Sequence, residues 1–133
     1  MGLTMSNHLG NKVLNAVFKG QNLSYEKVYL SLHTGDPGDA GGSEVEAGGY
    51  SYARKEVVLE DWTTPSDKTV ETNKEVEWEN LPDVTVSHIG IWDQVSDGNF
   101  LWSGELAESR SLTAGQHLRF KAGEITAEID PNS

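Results

Sequence analysis

Residues 28–57, VYLSLHTGDPGDAGGSEVEAGGYSYARKEV, change character twice along their length. They begin with the two-residue alternation of a β-strand, in which Val28, Leu30 and Leu32 share one face. They then pass through a stretch of Gly, Asp and Pro, which are typical loop residues, and resume as a tyrosine-rich strand. The stretch therefore predicts two strands joined by a long acidic loop. The loop is a metal site, a binding surface or a simple connection, and the residues themselves leave all three open.

The same alternation recurs through the rest of the chain. Residues 68–80 (KTVETNKEVEWEN) alternate as one strand with a strongly acidic face, whereas residues 84–93 (VTVSHIGIWD) are apolar on both faces, as in a central strand. A bulge at Gly90 is expected in the central strand. Asp97-Gly98 supplies the positive φ angles of a tight hairpin turn. Further inward-facing residues are Phe100, Trp102, Leu106, Leu118, Phe120, Ala122, Ile125, Ala127 and Ile129.

A helical repeat is visible only near the start, in residues 7–19. Leu9, Val13, Ala16 and Val17 form one stripe of a 3.6-residue period. Ser6 or Asn7 could cap this helix and Gly20 could end it, so we predict a helix over residues 6–20. The stripe is available either to a partner protein or to one open end of the chain's own sandwich.

Short strands separated by turns, with one helix in front, predict an all-β fold. We expect an antiparallel β-sandwich, jelly-roll or Greek-key-like, with one short N-terminal α-helix. The 133 residues fit a single domain, 1–133, with the helix at 6–20 and the sandwich at 26–130.

The charge balance excludes several classes of partner. Ten Lys and Arg face 21 Asp and Glu, a formal net charge of −11 without a basic stripe, so we expect no nucleic acid and no membrane partner. The first residues lack the charged start and apolar core of a signal peptide. There is no cysteine, which excludes a disulfide framework and a zinc–thiolate site.

Hard oxygen ligands in the acidic loop would suit calcium, with Asp36, Asp39 and Glu44 as the candidate residues. The loop lacks the alternating Asp and Asn ligands of an EF-hand, however. We therefore predict no cofactor, and the alternative to a calcium site is a solvated connection.

Candidate catalytic residues do not form a recognisable motif. The four histidines (His8, His33, His88 and His117) show no metal-ligand spacing, and the chain has neither G-x-S-x-G nor a phosphate loop. His88 is expected to be a hydrogen-bonded core or interface residue and His33 a surface residue at a strand end. The sequence therefore predicts that the protein is not an enzyme.

Aromatic residues offer a second kind of site. Tyr50, Tyr52 and Trp62 could line a sugar-binding surface, although alternation places most tryptophans on core faces. Trp62, in a predicted loop, is the best candidate for an exposed ring. Arg54 is expected to form an ion pair with the acidic loop or with a neighbouring subunit. The candidate interface residues are His33, Asp36, Tyr50, Tyr52, Arg54 and Trp62.

Several spaced motifs resemble a widespread family of small phage proteins labelled tail-fibre or tail-fibre-like. The motifs are Leu32-His33-Thr34, Asp36-Pro37-Gly38, Tyr52-Ala53-Arg54, His88-Ile89-Gly90-Ile91-Trp92-Asp93, Leu101-Trp102-Ser103-Gly104 and Phe120-Lys121-Ala122-Gly123. The resemblance spans residues 9–130. The chain departs from the family pattern in GGSEVEAGGYSYAR, where extra residues lengthen the loop.

The resemblance implies a non-enzymatic component of the phage particle, made in the host cytoplasm. We expect a tail-associated structural subunit, fibre- or baseplate-like, whose partners are other virion proteins and further copies of itself, such as a trimer. The alternatives are a capsid decoration protein and a carbohydrate-binding module that recognises a host-surface glycan.

Overall fold

The structure, a computed structural model, describes residues 2–128. One α-helix, α1 (Asn7–Phe18), and one short 3₁₀ helix (Leu59–Asp61) accompany nine strands. The strands are β1 (Gly2–Met5), β2 (Lys27–His33), β3 (Lys55–Val58), β4 (Thr69–Glu71), β5 (Val76–Trp78), β6 (Val84–Trp92), β7 (Phe100–Leu112), β8 (Leu118–Phe120) and β9 (Thr126–Glu128). None of the helices in this part of the chain is long and apolar enough to cross a membrane.

The strands form a seven-stranded sheet in the order β3-β2-β6-β7-β1-β9-β4 and a two-stranded sheet of β5 and β8. The pairs are antiparallel except for β1 and β9, which run parallel. The predicted all-β, sandwich-like fold with one N-terminal helix is confirmed. Its core includes Trp78 and Phe120, whose rings meet edge to face with centroids 6.0 Å apart.

The helix begins where the sequence predicts and is divided between core and solvent. The Ser6 hydroxyl caps it by accepting from the Leu9 backbone N–H at 3.2 Å and donates to the Phe100 carbonyl at 2.6 Å. Leu9 is buried, and the helix packs against β7. The residues at its far end are exposed. The first turn therefore belongs to the domain's own core, and the second half of the stripe does not.

Strand β2 is buried on both faces in its second half. Leu30 and Leu32 face the core as predicted, and Ser31 and His33 on the opposite face are equally buried. The prediction of His33 as a surface residue is therefore wrong, because the acidic loop folds back over this face of the strand.

The run 68–80 is two strands, which corrects the prediction of one. β4 pairs with β9 at the edge of the large sheet, and β5 pairs with β8 in the small one. The alternation still describes burial, since Thr72, Val76 and Trp78 are buried. The break at residues 73–75 moves the chain from one sheet to the other, which a period of two cannot reveal.

β6 lies between β2 and β7, as its two apolar faces predict. The predicted bulge at Gly90 is wrong: the register shifts lie between Val86 and His88 and between Ile91 and Trp92. A Cβ at Gly90 would lie 2.6 Å from Phe100 Cε1 and 2.8 Å from His33 Nε2. Glycine is therefore required here because these side chains approach the backbone closely. The positive φ angles predicted for Asp97 and Gly98 are confirmed, at 55° and 80°, but the connection between β6 and β7 spans residues 93–99 and is longer than a tight hairpin turn.

The C-terminal strands are shorter than predicted. Leu118, Phe120, Ile125 and Ala127 are buried as expected, but Ala122 is exposed because β8 ends at Phe120. Ile129 and the end of the predicted sandwich at residue 130 lie outside the described residues.

β1 is an element that the sequence analysis missed. It hydrogen-bonds to β7 on one side and to β9 on the other. The helix is thus preceded by an internal strand of the large sheet. The same sheet contains β2, from which the acidic loop extends.

Candidate functional site

The acidic loop is a folded-back extension of β2. His33 bridges to Glu44 in antiparallel fashion, the Thr34 N–H donates to the Ser43 carbonyl at 2.9 Å, and the Val45 N–H donates to the Leu32 carbonyl at 2.9 Å. The Gly42 N–H donates to the Pro37 carbonyl at 2.8 Å and closes the tip. The loop therefore has its own ladder of backbone hydrogen bonds.

A chain of three hydrogen bonds joins the loop to the sheet through His33. His33 Nδ1 lies 2.7 Å from the Gly42 carbonyl, which can only accept, so Nδ1 carries the proton. Nε2 then accepts from the Ser31 hydroxyl at 2.6 Å, and the Ser31 oxygen accepts from Trp92 Nε1–H at 2.9 Å. Burial lowers the pKa of His33 below its ordinary value, although the Gly42 and Glu44 contacts oppose this. Both ring nitrogens are used to fasten the loop.

A second cluster centres on the Glu44 carboxylate. Arg54 holds it in a two-pronged contact, Nε at 3.0 Å and Nη2 at 2.9 Å, and the Tyr52 hydroxyl donates to it at 2.6 Å. Burial alone would raise the pKa of Glu44, but the hydrogen bonds from Arg54 and Tyr52 and the charge of Arg54 lower it below its usual range. Burial and the bond to Glu44 raise the pKa of Tyr52 well above its ordinary value.

Arg54 connects three parts of the molecule. Its guanidinium contacts Glu44 and lies 3.7 Å from the centre of the Trp92 ring. Its Nη1 group donates to the carbonyls of Gln94 and Asp97, at 3.0 and 2.8 Å, in the β6–β7 turn. Of the two partners expected for Arg54, the structure shows the acidic loop. We call Ser31, His33, Glu44, Tyr52, Arg54 and Trp92 the polar anchor.

The loop tip packs directly on the aromatic side of the polar anchor. Gly41 is buried at a φ of 79°, and a Cβ there would overlap the Trp92 ring and lie 2.8 Å from Phe100. Trp92 and Phe100 themselves meet with centroids 5.0 Å apart. Only glycine fits the space and the backbone angle at this point of the loop.

The three candidate calcium ligands are held by three different donors of the protein. Asp36 accepts from the Gly38 N–H at 2.9 Å and Asp39 from the Asn7 N–H at 2.7 Å, while Glu44 binds Arg54. The bond to Asn7 satisfies one of the free N–H groups at the start of α1. The loop carboxylates therefore order the loop and the helix, and the absence of a cofactor stays a prediction.

Glu77, Glu79 and His117 form the one group of potential metal ligands that converges within the described residues, with ligand atoms within 4.8 Å of one another. Glu79 and His117 are exposed. Exposed acidic clusters are common on proteins without bound metal, so this group does not define a site.

The predicted aromatic residues Tyr50, Tyr52 and Trp62 have different environments in the structure. Tyr52 belongs to the polar anchor, and Tyr50 is exposed in the loop's returning arm. Trp62 is half-buried and packs against the core, so the expectation of a freely exposed ring is wrong.

Sequence reasoning missed Ser31 and the anchoring role of Glu44. The S-x-H spacing in a strand followed by a Gly-rich loop is the signal that could have indicated them.

An open apolar groove of about 470 Å³ lies elsewhere on the domain. Its lining combines strand residues of the large sheet with the segments before β2 and after β3. The lining residues are Tyr25, Lys27, Val28, Val57, Leu59, Trp62, Thr63, Pro65, Lys68, Thr69, Val70, Ile91, Trp102 and Ala127. None of the polar anchor residues is among them.

The arrangement defines a β-sandwich whose buried polar groups fasten loops to a sheet and whose open groove is lined by apolar side chains. The chain belongs to a phage fibre family: residues 4–128 match the family model described as podophage GP4 fiber I protein gp80. No curated protein matches the chain. The family makes the protein a phage fibre-like component of the virion, associated with other virion proteins.

Proposed function

We propose that the protein is a non-enzymatic structural subunit of the phage tail, fibre- or baseplate-associated, that acts through protein–protein contacts. The observation that carries the proposal is the family match over residues 4–128. Two apolar surfaces that the domain leaves uncovered, the groove and the far end of α1, support assembly as its mode of action.

The chemistry of the buried polar groups supports a structural function. Both ring nitrogens of His33 are used in hydrogen bonds, and the Glu44 carboxylate is bound by Arg54 and Tyr52. A general acid or base needs a titratable group that reaches a substrate. The residues that line the groove include neither a carboxylate nor a histidine, and most of them are apolar. This composition suits contact with an apolar surface of another protein.

Carbohydrate recognition is the alternative function for which aromatic residues would be suited. The groove supports it less well than it supports contacts with another protein. Sugar sites combine a ring with several directed polar groups, whereas the groove lining is dominated by apolar side chains. Tyr50 does not line the groove that contains Trp62. A glycan-array signal that disappears in Trp62→Ala would support the carbohydrate alternative.

Localisation on the particle tests the proposal. Purified virions would be labelled with gold-conjugated antibody raised against the protein and imaged by electron microscopy. We expect label at the tail. Label spread over the capsid would support the decoration alternative, and unlabelled virions from which the protein is also absent by mass spectrometry would overturn the proposal.

A further inference from the structure

The part of the acidic loop that covers the buried His33 ends at a strained residue. We call residues 34–43 the tip segment. Its last residue, Ser43, has a φ of 62°, in the left-handed region that is unfavourable for a residue with a Cβ. The next residue, Glu44, is fixed by Arg54 through two hydrogen bonds of 3.0 and 2.9 Å. A strained hinge therefore joins the tip segment to a fixed part of the loop.

The tip segment is fastened to the rest of the domain by local contacts. These contacts are Gly42 with His33, Gly41 with Trp92, and Asp39 with Asn7 at the start of α1. Strands β2 and β6, by contrast, pair in register from Tyr29 to His33 and continue into the core. Segments held by local contacts open at a lower free energy than the central strands of a sheet. We therefore expect the tip segment to open before the strands separate.

With the loop closed, the surroundings of His33 provide hydrogen bonds for one ring proton. Its Nδ1–H donates to the Gly42 carbonyl, and its Nε2 lies 2.6 Å from the Ser31 hydroxyl. A proton on Nε2 would face the Ser31 proton, and the Ser31 oxygen already accepts from Trp92. A Cβ at Gly90 would lie 2.8 Å from both His33 Nε2 and Ser31 Oγ, so this space is closely packed. The closed loop therefore selects the neutral ring.

The charged groups around His33 leave this preference in place. Burial is the main cause of its lowered pKa; the charge of Glu44 opposes the shift, and the Arg54 and cross-strand His88 side chains add to it. When the tip segment moves away, water reaches the ring, and Glu44 stays beside it because Arg54 holds the carboxylate. The open form therefore binds a second proton more readily than the closed form.

We propose that the tip segment is an acid-opened latch, which opens when His33 binds a second proton while the strands of the large sheet stay paired. Opening separates Asp39 from the Asn7 N–H, so the start of α1 is released together with the loop. It also uncovers the Trp92 ring. The change is local to one end of the sheet and differs from unfolding of the whole domain.

Hydrogen exchange of single amides, followed by NMR on the wild-type protein at pH 7.5 and pH 5, tests the latch. After correction for intrinsic exchange rates, the opening equilibrium of the Thr34, Gly42 and Asn7 amides should rise together by about tenfold. One proton with the ordinary pKa of 6.5 sets an upper limit of about thirtyfold. The Val45 amide, bonded to Leu32 beyond the hinge, should stay at least about tenfold less open at both pH values.

Two variants separate the proton from the hinge. His33→Gln should remove the pH dependence of opening, because the group that titrates is absent. Ser43→Gly removes the unfavourable backbone angle from the closed loop. It should lower the opening equilibrium by about fivefold at both pH values and leave their ratio as in wild type.

Three results would overturn the inference. The opening equilibrium of the tip segment could change by less than about threefold between the two pH values. The Val45 and β6 amides could open together with the tip segment, which would mean that the whole domain unfolds. His33→Gln could keep the wild-type pH dependence. Where His33→Gln does not fold, the first two results decide.

Discussion

Glu44 shows what a single half-buried carboxylate does in this domain. Its charge is balanced by Arg54, whose side chain is only 8% exposed, and the two are joined by parallel hydrogen bonds. A buried ion pair adds little stability over an apolar pair, but removal of one partner leaves the other charge uncompensated. The pair therefore matters most for holding the loop in one conformation.

Glu44→Gln should lower the free energy of unfolding by about 2 kcal/mol, because the Arg54 charge loses its partner while the side-chain shape is kept. Glu56→Gln is the matched control: its ion pair with Lys27 is about half exposed on both sides, so solvent screens it and its loss should change the free energy of unfolding much less. Urea unfolding of both variants measures the difference. Equal losses would contradict an anchoring role for Glu44.

The buried His33 predicts a pH dependence of stability. Its pKa is lowered in the folded state, against an ordinary value of 6.5, so the unfolded chain binds more protons just below pH 6.5. The stability is fully present above pH 6.5 and falls as pH decreases through this value toward the folded pKa. The contribution of Glu44, also lowered, is lost only below its ordinary value of 4.5.

Urea unfolding between pH 5 and 7.5 measures this slope. His33→Gln should flatten it, because the buried imidazole is then absent from both the folded and the unfolded state. If His33→Gln fails to fold, NMR titration of the wild-type imidazole replaces it. A His33 ring that titrates at or above 6.5 in the folded protein would contradict the prediction.

The loop between β2 and β3 is long, and its contacts with the rest of the domain order it. Its backbone ladder, the polar anchor and the packing of Gly41 against Trp92 all act on residues 34–45. The loop in turn caps α1 through Asp39. Loop, helix and the β6–β7 turn are thus coupled at one end of the sheet.

Gly41→Ala tests whether the aromatic contact orders the loop. Gly41 and Gly38 both have positive φ, 79° and 66°, but a Cβ at Gly38 meets open space. Both alanine substitutions should therefore lower the free energy of unfolding by about 1 kcal/mol through the backbone angle. Gly41→Ala should lower it by about 1–3 kcal/mol more, because its Cβ overlaps Trp92 and Phe100. Thermal melting compares the two. Equal melting temperatures would show that the aromatic contact does not order the loop.

At the scale of the whole molecule, β1 joins the two halves of the large sheet. It is the strand between β7 and β9, and β4 follows β9 at the edge of the sheet. Deletion of residues 1–20 would remove this strand together with the buried Leu9, so loss of folding in that variant would not distinguish a helix that docks on a partner from a helix that only covers the core. Point substitutions at the exposed Leu14, Val17 and Phe18 avoid this difficulty.

Leu3→Pro should destabilise the domain by about 3 kcal/mol, because proline removes a backbone donor from a strand that is paired on both sides. Leu3→Ala keeps the donor and is the control. Hydrogen exchange should show β9 and β4 losing protection before β2 and β6 in the proline variant. Unchanged protection of β9 would contradict the bridging role of β1.

Local patterns predict much of this fold. Alternation identified β2, β6 and the buried residues of β5, β8 and β9, and Ser6 and Asp97-Gly98 identified a helix cap and a turn. These features depend on neighbours in sequence, where side-chain period and φ preference act directly. The family motifs, which cover most of the chain, indicated a phage fibre-like protein, and the family match confirms it.

Local sequence patterns are therefore sufficient to predict most of the strands, the helix and the class of protein. Long-range contacts account for the features they did not predict: His33 is buried, 68–80 divides between two sheets, β1 completes the large sheet and Glu44 pairs with Arg54. The reason is that each of these depends on which distant segment covers a face or supplies a hydrogen-bond partner. Periodicity reports which side of a strand is apolar, but a polar face is buried or wet according to what packs on it.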